Sequence, residues 1–290
     1  PAARQKGPVG GMNKAPVNRI LPYSVVDGPG NRVAIFLQGC NLRCAYCHNP
    51  ETQTLCTACG RCVPVCPKGA LEQTETGIHW HPERCCKCDR CIQTCPQCSD
   101  PRVQWMTPEM VMEQVRRSIP FIRGITVSGG ECTLYPAFLA ELFTLAHAEG
   151  LTCLLDSNGM CDLSAAPALM RVCDGVMLDV KAWDSRVHQA LTSMANEMVK
   201  KNLRYLAEHG LLTELRVVNL PGQVDVEAVL QGIPALLGRE TVADIPLKLI
   251  RFRPMGVRGP AAQLSSPAKA EMEHWAQVAA GEGFHRVIIL

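Results

Sequence analysis

Arg32-Val-Ala-Ile-Phe-Leu37 runs directly into Gln38-Gly39-Cys40-Asn-Leu-Arg-Cys44-Ala-Tyr46-Cys47. A short apolar run of this length reads as a buried strand. The loop that follows it carries three cysteines within eight residues, spaced Cx3Cx2C. Three thiolates so close together can wrap one soft metal centre. A cubane iron–sulfur cluster has more irons than this loop has thiolates, so one iron stays without a protein ligand. An open coordination position marks a reacting site rather than a closed structural one. Zinc completed by His48 is the competing reading of the same spacing.

Downstream of this loop the pattern becomes alternating. Strands are predicted at Gly124–Val127, Thr152–Leu155, Val176–Leu178, Leu212–Val218 and Leu247–Phe252, with a last one at Arg286–Leu290. Helices are predicted between them: from the capping Thr107 and Pro108 to about Ser118, from Pro136 to near Gly150, around Ala165–Val172, over Met198–His209, Val226–Leu237 and Pro267–Ala280. Strands alternating with helices imply a parallel sheet. About six βα units fit an α/β, partial (βα)6 TIM-type barrel better than a closed eight-unit one. Functional residues are then expected at the C-terminal ends of strands, as the cysteine loop already is.

Composition narrows the function. The chain has 290 residues, with Lys+Arg 29 against Asp+Glu 27 and a net charge of +2, which argues against nucleic acid as the main partner. Apolar residues at 47% and charged residues at 19% exclude a mostly disordered chain. There is no apolar run of membrane-spanning length, so no membrane association is expected. Of 17 cysteines, 13 lie between Cys40 and Cys98. Clustered CxxC spacing in a chain without a secretory signal reads as metal binding in a reducing, cytoplasmic compartment. Pro1–Gly11 reads as an expression scar, with Met12 as the native start. The expected organisation is 12–50 and 107–290 as one core, interrupted by a Cys- and Pro-rich insertion over 51–106.

The flanks of the cysteine loop carry a resemblance. Asp27-Gly28-Pro29-Gly30-Asn31-Arg32 precedes the strand, and Tyr46-Cys47-His48-Asn49-Pro50-Glu51 closes the loop. This arrangement resembles the glycyl radical enzyme activases of the radical S-adenosylmethionine (SAM) superfamily, over nearly the whole chain from Asn18 to Leu290. The resemblance implies that Cys40, Cys44 and Cys47 hold a catalytic [4Fe–4S] cluster beside Tyr46. SAM chelates its open iron and is cleaved to a 5′-deoxyadenosyl radical, which takes a hydrogen atom from a backbone glycine of a partner protein.

Two further runs lie in the insertion. Cys56-x2-Cys59-x2-Cys62-x3-Cys66-Pro67 and Cys85-x2-Cys88-x2-Cys91-x3-Cys95-Pro96 both have the bacterial ferredoxin spacing, in which the fourth Cys ligates the other cluster. Cys56, Cys59, Cys62 and Cys95 are therefore assigned to one [4Fe–4S] cluster, and Cys85, Cys88, Cys91 and Cys66 to a second. Cys98 is an alternative to Cys95. The insertion thus reads as a small α+β bacterial ferredoxin-like 2[4Fe–4S] domain, making three clusters in all. It is expected either to relay electrons from a flavodoxin or ferredoxin-type donor or to serve as a structural or docking domain.

The remaining candidates are strand-end segments that match the family's. Ser128-Gly129-Gly130-Glu131 resembles the segment that holds the methionine amino group of SAM, where a carboxylate can pair with an ammonium. Asp156-Ser157-Asn158-Gly159 and Met177-Leu178-Asp179-Val180-Lys181 resemble the segments at the SAM ribose and carboxylate. Lys181 suits the carboxylate. Asp156, Ser157, Met177 and Asp179 match positions that bind a monovalent cation in some members. Arg216 is read as a further SAM contact. Arg253 stands where many relatives carry His. Asp27 is a candidate for holding the partner's glycine loop. Glu131-Cys132-Thr133-Leu134 and Arg251-Phe252-Arg253-Pro254 make the chain most similar to the YjjW-type activases, implying a YjjI-type glycyl radical enzyme as partner. The competing functions are a radical SAM enzyme acting on a small molecule and a ferredoxin-type electron carrier.

Overall fold

The computed structural model describes residues 13–290, so the expected scar and the start at Met12 lie outside the described residues. Eleven strands form among those residues: β1 Ala15–Ser24, β2 Arg32–Leu37, β3 Leu71–Thr74, β4 Gly77–Trp80, β5 Gln104–Met106, β6 Gly124–Gly129, β7 Thr152–Ser157, β8 Gly175–Asp179, β9 Leu212–Asn219, β10 Leu247–Arg251 and β11 Val287–Ile289. Nine of them make one sheet in the order β11-β10-β9-β8-β7-β6-β2-β1-β5. All pairs from β2 to β11 are parallel. The sheet ends on β5 and β11 and does not close, as six βα units and one last strand require.

Helices Pro108–Val115, Pro136–Ala148, Glu197–Glu208, Val226–Leu237 and Lys269–Gly281 follow the strands as expected. Alternation along the strands sorts the two faces. Ile125, Val127, Leu155, Val176, Leu178, Leu215 and Val217 are buried with these helices in one core. Each such side chain contributes ~1.5–3 kcal/mol by leaving water. Thr126, Ser128, Asp156, Met177, Asp179, Glu214 and Arg216 alternate with them and belong to the concave face.

Two features depart from the expected pattern. β1 was not foreseen. Its Pro16 and Pro22 argue against a strand, and irregular register at Val17/Arg19 and Leu21/Ser24 breaks the alternation. It runs antiparallel to β2 and to β5, so Gln104–Met106, at the end of the expected insertion, is an edge strand of the main sheet. The other is the helix Ser185–Thr192, whose N-cap Asp184 accepts from the backbone N–H of Arg186 (2.8 Å) and Val187 (3.0 Å). Between β2 and β5 the chain forms the hairpin β3–β4, the short helix Arg90–Thr94, single 3-10 turns at Pro50–Thr52 and Pro82–Arg84, and loops.

Candidate active site

The unforeseen helix supports the cysteine loop. Its last carbonyls, on Leu191 and Thr192, accept the backbone N–H groups of Ala45 (2.8 Å) and Arg43 (2.9 Å). Carbonyls at a helix C-terminus lack intrahelical partners, so the loop satisfies them while being fixed. From the other side, Cys40 N–H donates to the Gln53 carbonyl (2.9 Å) and Gly39 N–H to that of Thr52 (2.8 Å).

Cys40, Cys44 and Cys47 line one cavity of about 190 Å³. The same cavity takes in Tyr46, Gly129, Gly130, Asp156, Ser157, Asn158, Asp179 and Lys181, the ends of three consecutive strands. Gly129 and Gly130 are required by backbone packing. A Cβ on Gly129 would lie 2.1 Å from the Leu37 carbonyl oxygen, and one on Gly130 would lie 2.3 Å from that of Gly39. Lys181 Nζ donates to Asp179 Oδ2 at 2.7 Å. Burial opposes the Lys181 charge, but Asp179 and the nearby Cys44 and Tyr46 outweigh it and hold the ammonium protonated. Burial pushes the Cys40 thiol up to about 12 and raises Cys44 and Cys47. Loading a metal centre here must therefore release protons.

The donor set fits a [4Fe–4S] cluster and SAM. Three thiols converge without a fourth cysteine, and His48 Nε2 is engaged at the Arg253 carbonyl (2.8 Å). The Tyr46 hydroxyl is buried in the cavity wall without a hydrogen-bond partner in the described structure. A buried hydroxyl of this kind calls for a bound polar group. Three of the expected cation ligands also take part in hydrogen bonds within the chain. Asp156 accepts from Arg216 Nη1 (2.9 Å) and Ser128 Oγ (2.7 Å), Asp179 from Lys181, and Ser157 Oγ donates to Glu131 (2.9 Å).

Three expected SAM contacts, Glu131, Arg216 and Arg253, are not among the residues that line the cavity. Glu131 is 1% exposed and does not line the cavity. Its carboxylate accepts from Thr133 N (3.1 Å), Thr133 Oγ1 (2.5 Å), Ser157 Oγ (2.9 Å) and Asn158 N (2.8 Å). Arg216 is paired with Asp156 (2.9 Å) and with Glu214 (2.6 Å) and does not line the cavity. The Arg253 side chain is exposed and outside the cavity; only its carbonyl reaches back, to His48. Asp27 is half-buried in the turn before β2, where Ser24 Oγ donates to its carboxylate (2.5 Å). Sequence reasoning also passed over Asn158, although its segment was singled out. Its Nδ2 donates to Asn41 Oδ1 (2.9 Å) and lies 3.6 Å from Cys40 Sγ.

Nine cysteines between Cys56 and Cys95 border two much smaller cavities. One is lined by Cys56, Cys59, Cys62 and Cys95. The other is lined by Cys66, Cys85, Cys86, Cys88 and Cys91. Each fourth cysteine thus sits with the other run's three, and Cys91 borders both cavities. Cys98 lines neither; Arg258 Nη1 donates to its Sγ at 2.6 Å.

This fold and cavity have known counterparts. Residues 34–230 match the Radical SAM superfamily. A putative glycyl-radical enzyme activating enzyme of Haemophilus influenzae is 30% identical over 84% of each chain. The choline trimethylamine-lyase activating enzyme of Oleidesulfovibrio alaskensis is 34% identical over 76% of this chain and 77% of its own. The structure of QueE from Escherichia coli shares the fold, with a TM-score of 0.54 and 15% identity over 96% of this chain and 94% of that one. The chain belongs to the radical SAM superfamily, among its glycyl radical enzyme activating enzymes. It is an enzyme, and this family implies a [4Fe–4S] cluster and SAM.

Proposed function

We propose that this enzyme cleaves SAM reductively at the cysteine loop and abstracts a hydrogen atom from a backbone glycine of a partner glycyl radical enzyme. One observation carries the reading: Cys40, Cys44 and Cys47 share a single cavity with the Gly129–Gly130 turn, the Asp179–Lys181 pair and the unpartnered Tyr46 hydroxyl. Cys40, Cys44 and Cys47 would hold the cluster, which when bound would supply the electron that breaks the sulfonium bond. Lys181 offers a cation to the SAM carboxylate, and the Gly129–Gly130 backbone offers the amino group a close approach. A glycyl Cα radical, delocalised over its flanking amides, is more stable than a primary alkyl radical, so the transfer runs downhill without a general base. The chain's task is positioning.

In this reading Cys56, Cys59, Cys62 and Cys95 hold a second cluster, and Cys66, Cys85, Cys88 and Cys91 a third, as a ferredoxin-like insertion. A flavodoxin or ferredoxin-type donor reduces them in the cytoplasm. No helix among the described residues is long and apolar enough to cross a membrane. The YjjW-type character of Glu131–Leu134 and Arg251–Pro254 supports a YjjI-type partner.

The test is anaerobic. The reduced, reconstituted enzyme is mixed with SAM and a candidate glycyl radical enzyme, and 5′-deoxyadenosine and the glycyl radical signal are measured together. Both are expected, and both vanish in Cys44→Ala. Deoxyadenosine without a protein radical on any candidate would instead favour a small-molecule substrate. An enzyme holding its clusters that forms neither product would sink the catalytic reading.

A further inference from the structure

The two smaller cysteine sets are joined to the catalytic loop in unlike ways. Cys56 lies three residues beyond Gln53, whose carbonyl takes the N–H of Cys40 itself at 2.9 Å. Gln53 and Thr52 also line the catalytic cavity. A second connection runs parallel. Gln38, fully buried two residues before Cys40, donates through Nε2 to the Thr54 carbonyl (2.7 Å) and to Ser99 Oγ (2.9 Å). Ser99 lines the same cavity as Cys56, Cys59, Cys62 and Cys95.

The set of Cys66, Cys85, Cys88 and Cys91 faces the catalytic loop differently. Trp80, Asp89 and Arg102 line its cavity and also one wall of an open groove. His48, Pro50 and Glu51, which follow Cys47, line the same groove. Cys86 and Cys88 of this set are exposed, as is Cys59 of the other, so the hydrogen-bonded links and not exposure distinguish the two.

Electron tunnelling decays more slowly through covalent bonds and hydrogen bonds than across a gap. We infer an order of transfer: Cys66, Cys85, Cys88 and Cys91 hold the outer cluster, Cys56, Cys59, Cys62 and Cys95 hold the one that delivers to the catalytic cluster, and Cys40 N–H to Gln53 C=O is the link. The inference rests on the three-cluster reading proposed above. With clusters held by these residues, one electron from a reduced flavin or ferredoxin-type protein would enter at the Cys66, Cys85, Cys88 and Cys91 set, leave the donor oxidised by one electron, and be handed on through the Cys56, Cys59, Cys62 and Cys95 set to the catalytic loop without a proton having to move.

The test reads neighbourhood rather than turnover. A paramagnetic neighbour speeds the spin relaxation of a cluster, and the catalytic cluster is recognised because its signal changes when SAM is added. In the fully reduced parent enzyme that signal should resist microwave saturation. Cys56→Ala/Cys59→Ala is expected to abolish the enhancement, and Cys85→Ala/Cys88→Ala to leave most of it. Cys59→Ser and Cys88→Ser, at two exposed side chains, serve where the double variants do not fold. The reverse pattern, or an enhancement that neither variant alters, overturns the order. A parent enzyme that binds iron for the catalytic cluster alone overturns instead the reading beneath it.

Discussion

Glu131 Oε2 accepts the backbone N–H of Asn158 at 2.8 Å, tying the turn after β6 to the end of β7. Asn158 passes the restraint on to Asn41, inside the cysteine loop. The carboxylate that the sequence places on a ligand ammonium is instead an internal strut. It holds the cavity wall from behind.

Removing the strut strands several buried donors. Burial raises the Glu131 carboxyl, and hydrogen bonds from Thr133, Asn158 and Ser157 oppose that rise. Each hydrogen bond to a charged group is worth ~1.5–3 kcal/mol, so Glu131→Ala is expected to cost about 3 kcal/mol or more of unfolding stability. Anaerobic chemical denaturation measures this. SAM affinity should fall in step. A variant of unchanged stability that loses only SAM binding would show that Glu131 touches the ligand.

Lys181 gives the contrasting case. Its ammonium lines the cavity while held by Asp179. A charge-assisted contact to a carboxylate is worth ~1.5–3 kcal/mol, which is about tenfold to a hundredfold in affinity. Lys181→Met should weaken equilibrium SAM binding by that factor while cluster iron is retained. Lys181→Met/Asp179→Asn removes the complication of a stranded carboxylate. SAM affinity in the double variant equal to the parent's would exclude Lys181 as a ligand contact.

Arg32 explains the turn before β2. It is 2% exposed and donates to the carbonyls of Ile125 (2.7 Å) and Thr152 (2.8 Å) and to Thr126 Oγ1 (2.8 Å). Thr126 Oγ1 donates in turn to the Asp27 carbonyl (2.6 Å). Thr126→Val cuts this relay at a cost of about 1–2 kcal/mol, far less than stranding the Arg32 acceptors. SAM cleavage without partner should persist in Thr126→Val, while the partner concentration needed for half-maximal activation rises. An unaltered partner dependence would detach the Asp27 turn from docking.

What could be read in advance follows from how local each signal is. The βα series was legible because strand and helix periods differ, and Val226–Leu237 begins and ends where its sequence predicts. The cysteine loop and the strand-end segments were legible because each is contiguous. β1 was hidden by its prolines and bulges, and its place is set by partners up to about ninety residues away. The inward turn of Glu131 was hidden for a different reason. Side-chain direction after a strand depends on the next turn, and Thr133 offers its two donors only once that turn has formed. Arg216 reads as a strand-end cation, but its guanidinium is taken up by Glu214 and by Asp156, sixty residues away in sequence, so it does not line the cavity.

The choice between Cys95 and Cys98 is open to a direct experiment. Cys95 borders the cavity of Cys56, Cys59 and Cys62, whereas Cys98 is turned toward Arg258. That guanidinium comes from the loop after β10, so the Cys98 contact fastens the insertion to the core. Cys95→Ala is expected to lose one cluster's iron and its reduced-state signal. Cys98→Ala should keep both and weaken only the fastening, seen as faster proteolysis within 51–106 of the native enzyme. Loss of cluster iron in Cys98→Ala with retention in Cys95→Ala would exchange the two roles, because a ligand thiolate cannot be replaced by a methyl group without opening the site.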